Sequence, residues 1–370
     1  MSERVQDYVV DYSVTKLEET ARTFRRLGEA YENASEPQKS GAGISKQLFL
    51  VADVLEECMT MYVHTEDGKK DFVRELTRKC FVNGIRIKNV QHLSKKNGRN
   101  AIVFQARTVG RSCVAAKKVV PVLTEVLRSG YYPDDSNRRI INEEYHQYIF
   151  IQEDRFKLLS GVARMNKGKS HFNGDNFLIS RLECGKAIAA IADGMGSGKR
   201  AYIESRMVIE LMENCIDEKA SIDLINSAYI AGGGTGNPVT MDMSVIDCQS
   251  GYMHCMKLGA VSTFIRRDKW VEIIQSTTLP MGVLEQVDYD CTTKKLYDGD
   301  YIVMVSDGVL DNIPCVNKEE RMAQMIHALT IREPSAMAEK LLEQSLAYND
   351  MKASDDCTVL VLGLFDTYEK

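Results

Sequence analysis

The sequence predicts an α+β protein in which two antiparallel sheets are flanked by helices, and three observations predict it. From about residue 140, segments of strand length follow one another closely: 145–152, 158–165, 176–183 and 186–192, then 240–248, 251–258, 261–266, 270–275, 287–296 and 300–306. One helical block, 199–230, separates the two runs. Helices at 318–330 and 334–348 precede a last strand at 357–364, so each sheet has helices to cover it. A length of 370 residues suggests roughly two domains at the usual size.

Upstream, Leu17, Ala21, Phe24, Leu27 and Tyr31 recur at helical steps and predict a helix over 14–33, with Thr15 and Glu18 as a capping box. Pro37 and the glycine-containing stretch 40–43 break it. A second helix carries Ile44, Leu48, Val51, Leu55 and Cys58. The two near-heptad stripes fit a helical hairpin packed on its own domain or a dimerising coiled coil. Residues 69–132 read as a small α/β unit: helix 70–82 stopped by Asn83-Gly84, strand 85–90, turn 95–98, strand 101–104 and helix 112–128. The expected parts are a helical hairpin or coiled-coil linker over 1–62, a small α/β regulatory domain over 63–150, and the strand-rich domain over 151–370.

Composition narrows the function. The longest apolar run, Ala187 to Ala192, is far shorter than the roughly 20 residues of a membrane span. No apolar core follows Met1-Ser2-Glu3-Arg4, so no secretory leader is expected. The expected location is the cytoplasm, for a free protein or for the cytosolic part of a membrane-bound one whose tether lies outside this chain. Ten cysteines without a C-x-x-C pair argue for reduced, mostly core thiols and against a zinc site. The net charge of −5 hides an asymmetry: +4 over 1–150 and −9 over 151–370. Segment 69–118 holds fourteen Lys and Arg against two acidic residues. That is either a solvated surface or a face for an acidic partner, a phosphoprotein or lipid headgroups. No zinc-finger or RNA-binding signature accompanies it, so no nucleic acid is expected as partner.

The chemistry concentrates at four strand ends. Gly174-Asp175-Asn176-Phe177 enters a strand, Ala192-Asp193-Gly194-Met195-Gly196 leaves one, Val305-Ser306-Asp307-Gly308 leaves another, and Asp355-Asp356-Cys357-Thr358 enters the last. An Asp ending a buried strand is rigid and desolvated, and several converging would repel and raise one another's pKa. A hard divalent cation relieves that repulsion. A glycine after Asp permits a sharp turn. A P-loop is excluded, because Asp193 stands where its first Gly belongs and Arg200 where its Ser or Thr belongs. An ATP-binding kinase reading of Asp193-Gly-Met-Gly leaves Ser306-Asp307-Gly308 and Asp355-Asp356 unexplained.

The ordered set resembles the metal-dependent serine/threonine protein phosphatase family, type 2C (PPM), in the bacterial branch typified by the stage II sporulation protein E family. Gly161-Val162-Ala163, Lys257-Leu258-Gly259 and Leu279-Pro280-Met281-Gly282 match that branch too, and Gly110-Arg111-Ser112-Cys113 is similar to its upstream cytosolic part. The resemblance implies a PPM-type αββα sandwich and hydrolysis of phosphoserine or phosphothreonine esters, a metal-bound hydroxide attacking phosphorus in line. It implies two ions, Mn²⁺ or Mg²⁺, with Asp193 bridging, Asp307 and Asp355 completing one site, and Asp175 with the Gly194 carbonyl serving the other. Asp356 stands where many relatives have Asn, and Gly174 where many have an acid, which weakens the second site. Arg164, Lys167, Lys169 and His171 lie in the loop where relatives place a phosphate-binding Arg, with none assignable. The implied substrate is a phosphorylated anti-anti-sigma-factor-like protein in sporulation or sigma-factor control, and a homodimer is an open possibility. The alternative is a phosphatase-like module that binds a phosphoprotein without turnover. Because Asp193 directly precedes block 199–230, that block is expected to couple the upstream helices to metal occupancy.

Overall fold

In the computed structural model the chain divides between Arg155 and Phe156 into two units. The structure describes residues 20–29, 45, 47–52, 55, 63–64, 70–94, 99–110, 112–168, 171–182, 185–196, 198–214, 220–231, 237–268, 270–283 and 289–367. No helix among them is long and apolar enough to cross a membrane.

In the first unit, helical residues 20–29 (α1) and 47–52 (α2) fall where the periodicity predicts helices. A Cβ on Gly28 would come 2.8 Å from Phe49 Cε1, so these helices touch through a small residue. The apolar stripe shifts accordingly: Ala21 and Ala52 are buried, whereas Leu27 and Val51 are exposed. Leu17, Tyr31, Ile44, Cys58 and the capping pair lie outside the described residues. There follow β1 (Val63–His64), α3 (Lys70–Val82), β2 (Ile85–Ser94), β3 (Ala101–Thr108), β4 (Val114–Ala115), α4 (Val120–Leu127), β5 (Tyr131–Pro133), β6 (Ile140–Ile141) and β7 (His146–Gln152). The sheet order is β1-β2-β3-β7-β5, all antiparallel. Leu76, Cys80 and Leu123 of the helices pack on Ile85, Ile102, Phe104 and Phe150. The helix predicted over 112–128 is shorter, because β4 pairs with β6, residues 116–119 form a 3-10 turn, and Pro121 has no N–H to give and sits in the first turn of α4.

The second unit runs β8 (Phe156–Met165), β9 (Asp175–Arg181), β10 (Lys186–Gly194), α5 (Lys199–Asn214), α6 (Ala220–Ala231), β11 (Val239–Asp247), β12 (Tyr252–Leu258), β13 (Thr263–Arg266), β14 (Val271–Ile274), β15 (Asp290–Lys295), β16 (Tyr301–Val305), α7 (Asp307–Asp311), α8 (Lys318–Ala328), α9 (Pro334–Leu346) and β17 (Cys357–Asp366). It has two five-stranded antiparallel sheets, β15-β12-β11-β10-β9 and β14-β13-β16-β17-β8. Alternation along each strand divides the core into layers. Ala189, Ile191, Ile302, Met304, Leu360 and Leu362 meet between the sheets. Val303, Val305, Val359 and Val361 face α8 and α9, and Ala190, Met243 and Val245 face α5 and α6. The result is an αββα sandwich.

One ion pair is buried between the sheets. Lys257, 1% exposed, donates to Asp242 Oδ2 at 2.5 Å and to the Val261 carbonyl at 2.7 Å. Thr263 of the facing sheet donates to the same Asp242 oxygen.

Gly161 of β8 lies directly under the start of α9. A Cβ there would stand 2.2 Å from the Ser335 nitrogen. Gly161→Ala is therefore expected to push α9 off its sheet and to destabilise the chain by ~1–3 kcal/mol. The check is a lower urea midpoint at unchanged slope; an unmoved midpoint contradicts it.

Candidate metal centre

The two sheets bring acidic residues to one end of the sandwich. β9 begins at Asp175 and β10 ends at Gly194, and their antiparallel register sets Asp193 directly opposite Asp175. In the other sheet β16 ends just before Ser306-Asp307, and its partner β17 begins just after Asp355-Asp356, with Val305 opposite Val359. Asp193 is the centre of the group. It feels the charge of Asp175, Asp307 and Asp355.

Burial is the largest influence on Asp175, Asp193 and Asp307, and it pushes all three above the ordinary carboxylate range. Neighbouring negative charge adds to it: Asp175 and Asp307 on Asp193, Asp311 and Asp355 on Asp307. Asp175, 1% exposed, rises to about 7, and neither of its oxygens has a hydrogen-bond partner. The Ser306 and Thr358 hydroxyls lie near enough to pull it back down but complete no bond of good geometry. A buried, partnerless carboxylate of this kind fits a cation ligand. Among the described residues no three His, Cys, Asp or Glu side chains converge closely enough to hold an ion as they stand.

The neighbouring acids divide by role. Asp356 is buried and both its oxygens are taken, by the Lys167 and Gly174 N–H groups at 2.7 Å each. It staples the β8–β9 loop to β17. Asp355 stays open, with its Oδ1 accepting the Asp356 N–H at 2.9 Å and lying 3.4 Å from Lys167 Nζ. The two Asp-Gly glycines serve close approach. A Cβ on Gly194 would meet the Ala201 carbonyl oxygen at 2.3 Å, and one on Gly308 the Asp356 carbonyl oxygen at 2.1 Å. The sharp turn expected after Asp193 falls later, at Gly196 and Gly198, which have φ of 99° and 82°.

Helix α5 reaches the same loop. Ser205 donates to the Gly174 carbonyl at 2.5 Å and accepts from Asn176 Nδ2 at 2.8 Å, and Phe172 packs on Tyr202. Gly174 itself has little room, since a Cβ would lie 3.2 Å from both Ala201 Cβ and Asp356 Oδ2. Of the basic candidates, Arg164 donates to the Asp175 carbonyl and stacks over Phe177, Lys167 faces Asp355, His171 is exposed, and Lys169 lies outside the described residues.

Sequence reasoning missed Ser205 and the Asp242–Lys257 pair, and it quoted Ser306 and Thr358 only as positions within motifs. Of these, the pair left a signal in the chain, a charged residue within each of two neighbouring strands, Asp242 in β11 and Lys257 in β12. A cavity of about 40 Å³ joins it to the site, lined by Asp193, Asp242, Gly259, Val261, Ser306 and Asp307 among others. Of the seven cysteines described, four are buried and three exposed, and none is disulfide-bonded. Burial pushes the Cys357 thiol, closest to the acids, up to about 12, so it is no nucleophile.

Comparison with known proteins accords with this geometry. The family model described as stage II sporulation protein E (SpoIIE) matches residues 184–365. Stage II sporulation protein E of Bacillus subtilis (strain 168) is 29% identical over 286 residues, 76% of this chain and 34% of that protein. The protein of the same name from Priestia megaterium is 30% identical over 253 residues, 67% of this chain and 43% of that one. The chain thus spans less than half the length of these relatives. A solved structure of the PP2C phosphatase domain and a fragment of the regulatory domain of the cell fate determinant SpoIIE from Bacillus subtilis is 26% identical, with a TM-score of 0.61, covering 85% of this chain and 96% of that one. The fold alone is shared with the RsbU and RsbW domains of Rv1364c from Mycobacterium tuberculosis, at 16% identity and a TM-score of 0.51 over 56% of this chain and 62% of that one. With its αββα sandwich and its end-on group of aspartates, the chain belongs to the metal-dependent type-2C (PPM) serine/threonine protein phosphatase family and resembles stage II sporulation protein E.

Proposed function

We propose that this chain hydrolyses phosphoserine or phosphothreonine esters on a protein, with two divalent cations, Mn²⁺ or Mg²⁺, held by Asp175, Asp193, Asp307, Asp355 and the Gly194 carbonyl. The observation that carries the reading is the buried, partnerless Asp175 carboxylate in register with Asp193. Bound cations supply a polarised water and a positive clamp for the phosphoryl oxygens. Asp193, central among the acids, would be a ligand to both ions. Asp356 and Ser205 hold the Asp175 loop in place. Water adds to phosphorus in line, and the seryl or threonyl oxygen leaves and is protonated, with no covalent enzyme intermediate.

The substrate we favour is a phosphorylated anti-anti-sigma-factor-like protein, in a cytoplasmic sigma-factor or sporulation control system. The names sporulation protein and cell fate determinant carried by its relatives support that reading. Residues 1–62 and 63–150 are then a linker and a regulatory domain, with dimerisation through the hairpin and a membrane tether outside this chain as further elements of the proposal. The competing reading, a phosphoprotein binder without turnover, draws on Gly174, whose crowded position has no room for an additional acidic ligand. Calorimetric titration with Mn²⁺ separates the two, because no heat at millimolar metal favours the binder.

Asp193→Asn is expected to lower Mn²⁺-dependent hydrolysis of p-nitrophenyl phosphate and of a phosphoserine protein by ~100-fold or more. EDTA should abolish the parent's activity. Turnover that survives both treatments contradicts the assignment.

The raised carboxyls also give a pH signature. Their folded-state pKa values exceed the unfolded ones, so the metal-free fold holds extra protons and loses stability as pH rises from the carboxylate range through neutrality. The Tm of EDTA-treated chain should therefore fall between about pH 6 and about pH 8, and millimolar Mn²⁺ should raise Tm more at the higher pH. Asp193→Asn should flatten both trends. A metal effect that is larger at the lower pH contradicts the placement of the ions among these groups.

A further inference from the structure

The first unit carries a dense positive patch on an open edge of its sheet. β2 pairs with β3 along most of its length, but on its other side β1 reaches only Leu93 and Ser94. A bulge with Asn89 at φ 54° interrupts the strand between these stretches. Among the described residues, Ile85–Lys88 has no strand partner on its outer side. Beside that edge a cleft of about 730 Å³ is lined by Val73, Arg74, Thr77, Arg78 and Phe81 of α3 and by Arg86. Phe81 is 51% exposed.

The opposite face of the same edge is basic. Arg86 stands directly across from Arg107 in the β2–β3 register, and Lys88 and Arg107 lie over the Tyr145 ring at 4.3 and 5.2 Å. Arg107 Nε is buried without a hydrogen-bond partner. Like charges directly opposite one another weaken a sheet. One or two cations suffice to blunt an edge strand against aggregation. Here Arg107 doubles Arg86, and Arg78 adds a further cation across the cleft. Of the carboxylates on α3, Glu75 is spent on Lys79, whereas Asp71, 3.8 Å from Arg74, offsets one of the cleft's own arginines.

We propose that this edge docks an extended, acidic segment of a partner protein, which adds to the sheet as a strand beside Ile85–Lys88. Side chains of an added strand alternate between faces. One set enters the cleft against Val73 and Phe81 and is apolar, with the Arg86 guanidinium at its rim, 5.9 Å from the centre of the Phe81 ring; the other meets Lys88 and Arg107 and is acidic. The partner's motif is thus an alternation of aliphatic and Asp or Glu residues. A membrane surface cannot reach both faces of one strand edge, and a nucleic acid leaves the apolar cleft unfilled.

The test is fluorescence anisotropy with the full chain and a labelled short peptide alternating valine and glutamate. Binding is expected, weakening as salt rises, and at least ~10-fold weaker in Arg86→Gln and in Arg107→Gln, the scale of a lost charge-assisted hydrogen bond. Arg86→Lys with Arg107→Lys should keep most of it, and thermal melts should show all variants folded. N-methylation of alternate peptide nitrogens should abolish binding, because a strand at an edge needs its N–H groups. No binding, equal binding by the glutamine variants, or equal binding of the N-methylated peptide overturns the proposal. So does competition by phosphatidylserine vesicles or single-stranded DNA at lower charge concentration than the peptide.

Discussion

Negative charge withdrawn from water at the meeting point of two sheets is the constraint on which the second unit depends. Asp175 and Asp193 are cross-strand neighbours at the close of one sheet, and Asp307 and Asp355 flank the corresponding end of the other. Such carboxylates are tolerable only if rigidly held and finally neutralised. The fold meets the first requirement with close backbone contacts: Gly308 on the Asp356 carbonyl, Gly194 on that of Ala201, and Asp356 itself spent on two loop N–H groups. Burial, and after it the neighbouring carboxylates, raise these groups above their ordinary pKa range, and the proposed cations would meet the second requirement.

Much of this was readable from the residues. Apolar segments of strand length gave the two sheets, and an acidic residue at each of four strand ends gave the site, because hydrophobic patterning is local and a charge that interrupts it stands out. What escaped was non-local. Nothing near Gly194 or Gly308 in the chain announces that another backbone passes within van der Waals distance, so the glycines read as turn formers. Ser205 sits on a helix whose polar residues read as solvent-facing, yet its hydroxyl is buried against the Gly174 carbonyl. In the first unit, helical periodicity alone put Leu27 and Val51 on the buried stripe, whereas the contact of Gly28 with Phe49 rotates the packed face toward small residues.

Helix α5 links these observations. Its first turn contacts Gly194, and Ser205, one turn further on, grips the carbonyl that precedes Asp175. One rigid rod therefore touches the backbone beside two of the acids at once. Any displacement of the rod therefore bears on the backbone beside Asp175 and beside Asp193 together.

The buried pair of Asp242 and Lys257 has a consequence for how this family can change. Removing either partner alone strands an ion inside the sandwich, at a typical cost of about 3–5 kcal/mol, whereas replacing both with apolar residues of similar volume is often close to neutral. Single-step evolutionary routes through these positions are thus steep, and the pair should drift, when it drifts at all, as a unit. Thr263, which donates to the same carboxylate oxygen, is drawn into that epistasis, although it belongs to the other sheet and lies twenty-one positions further along the chain.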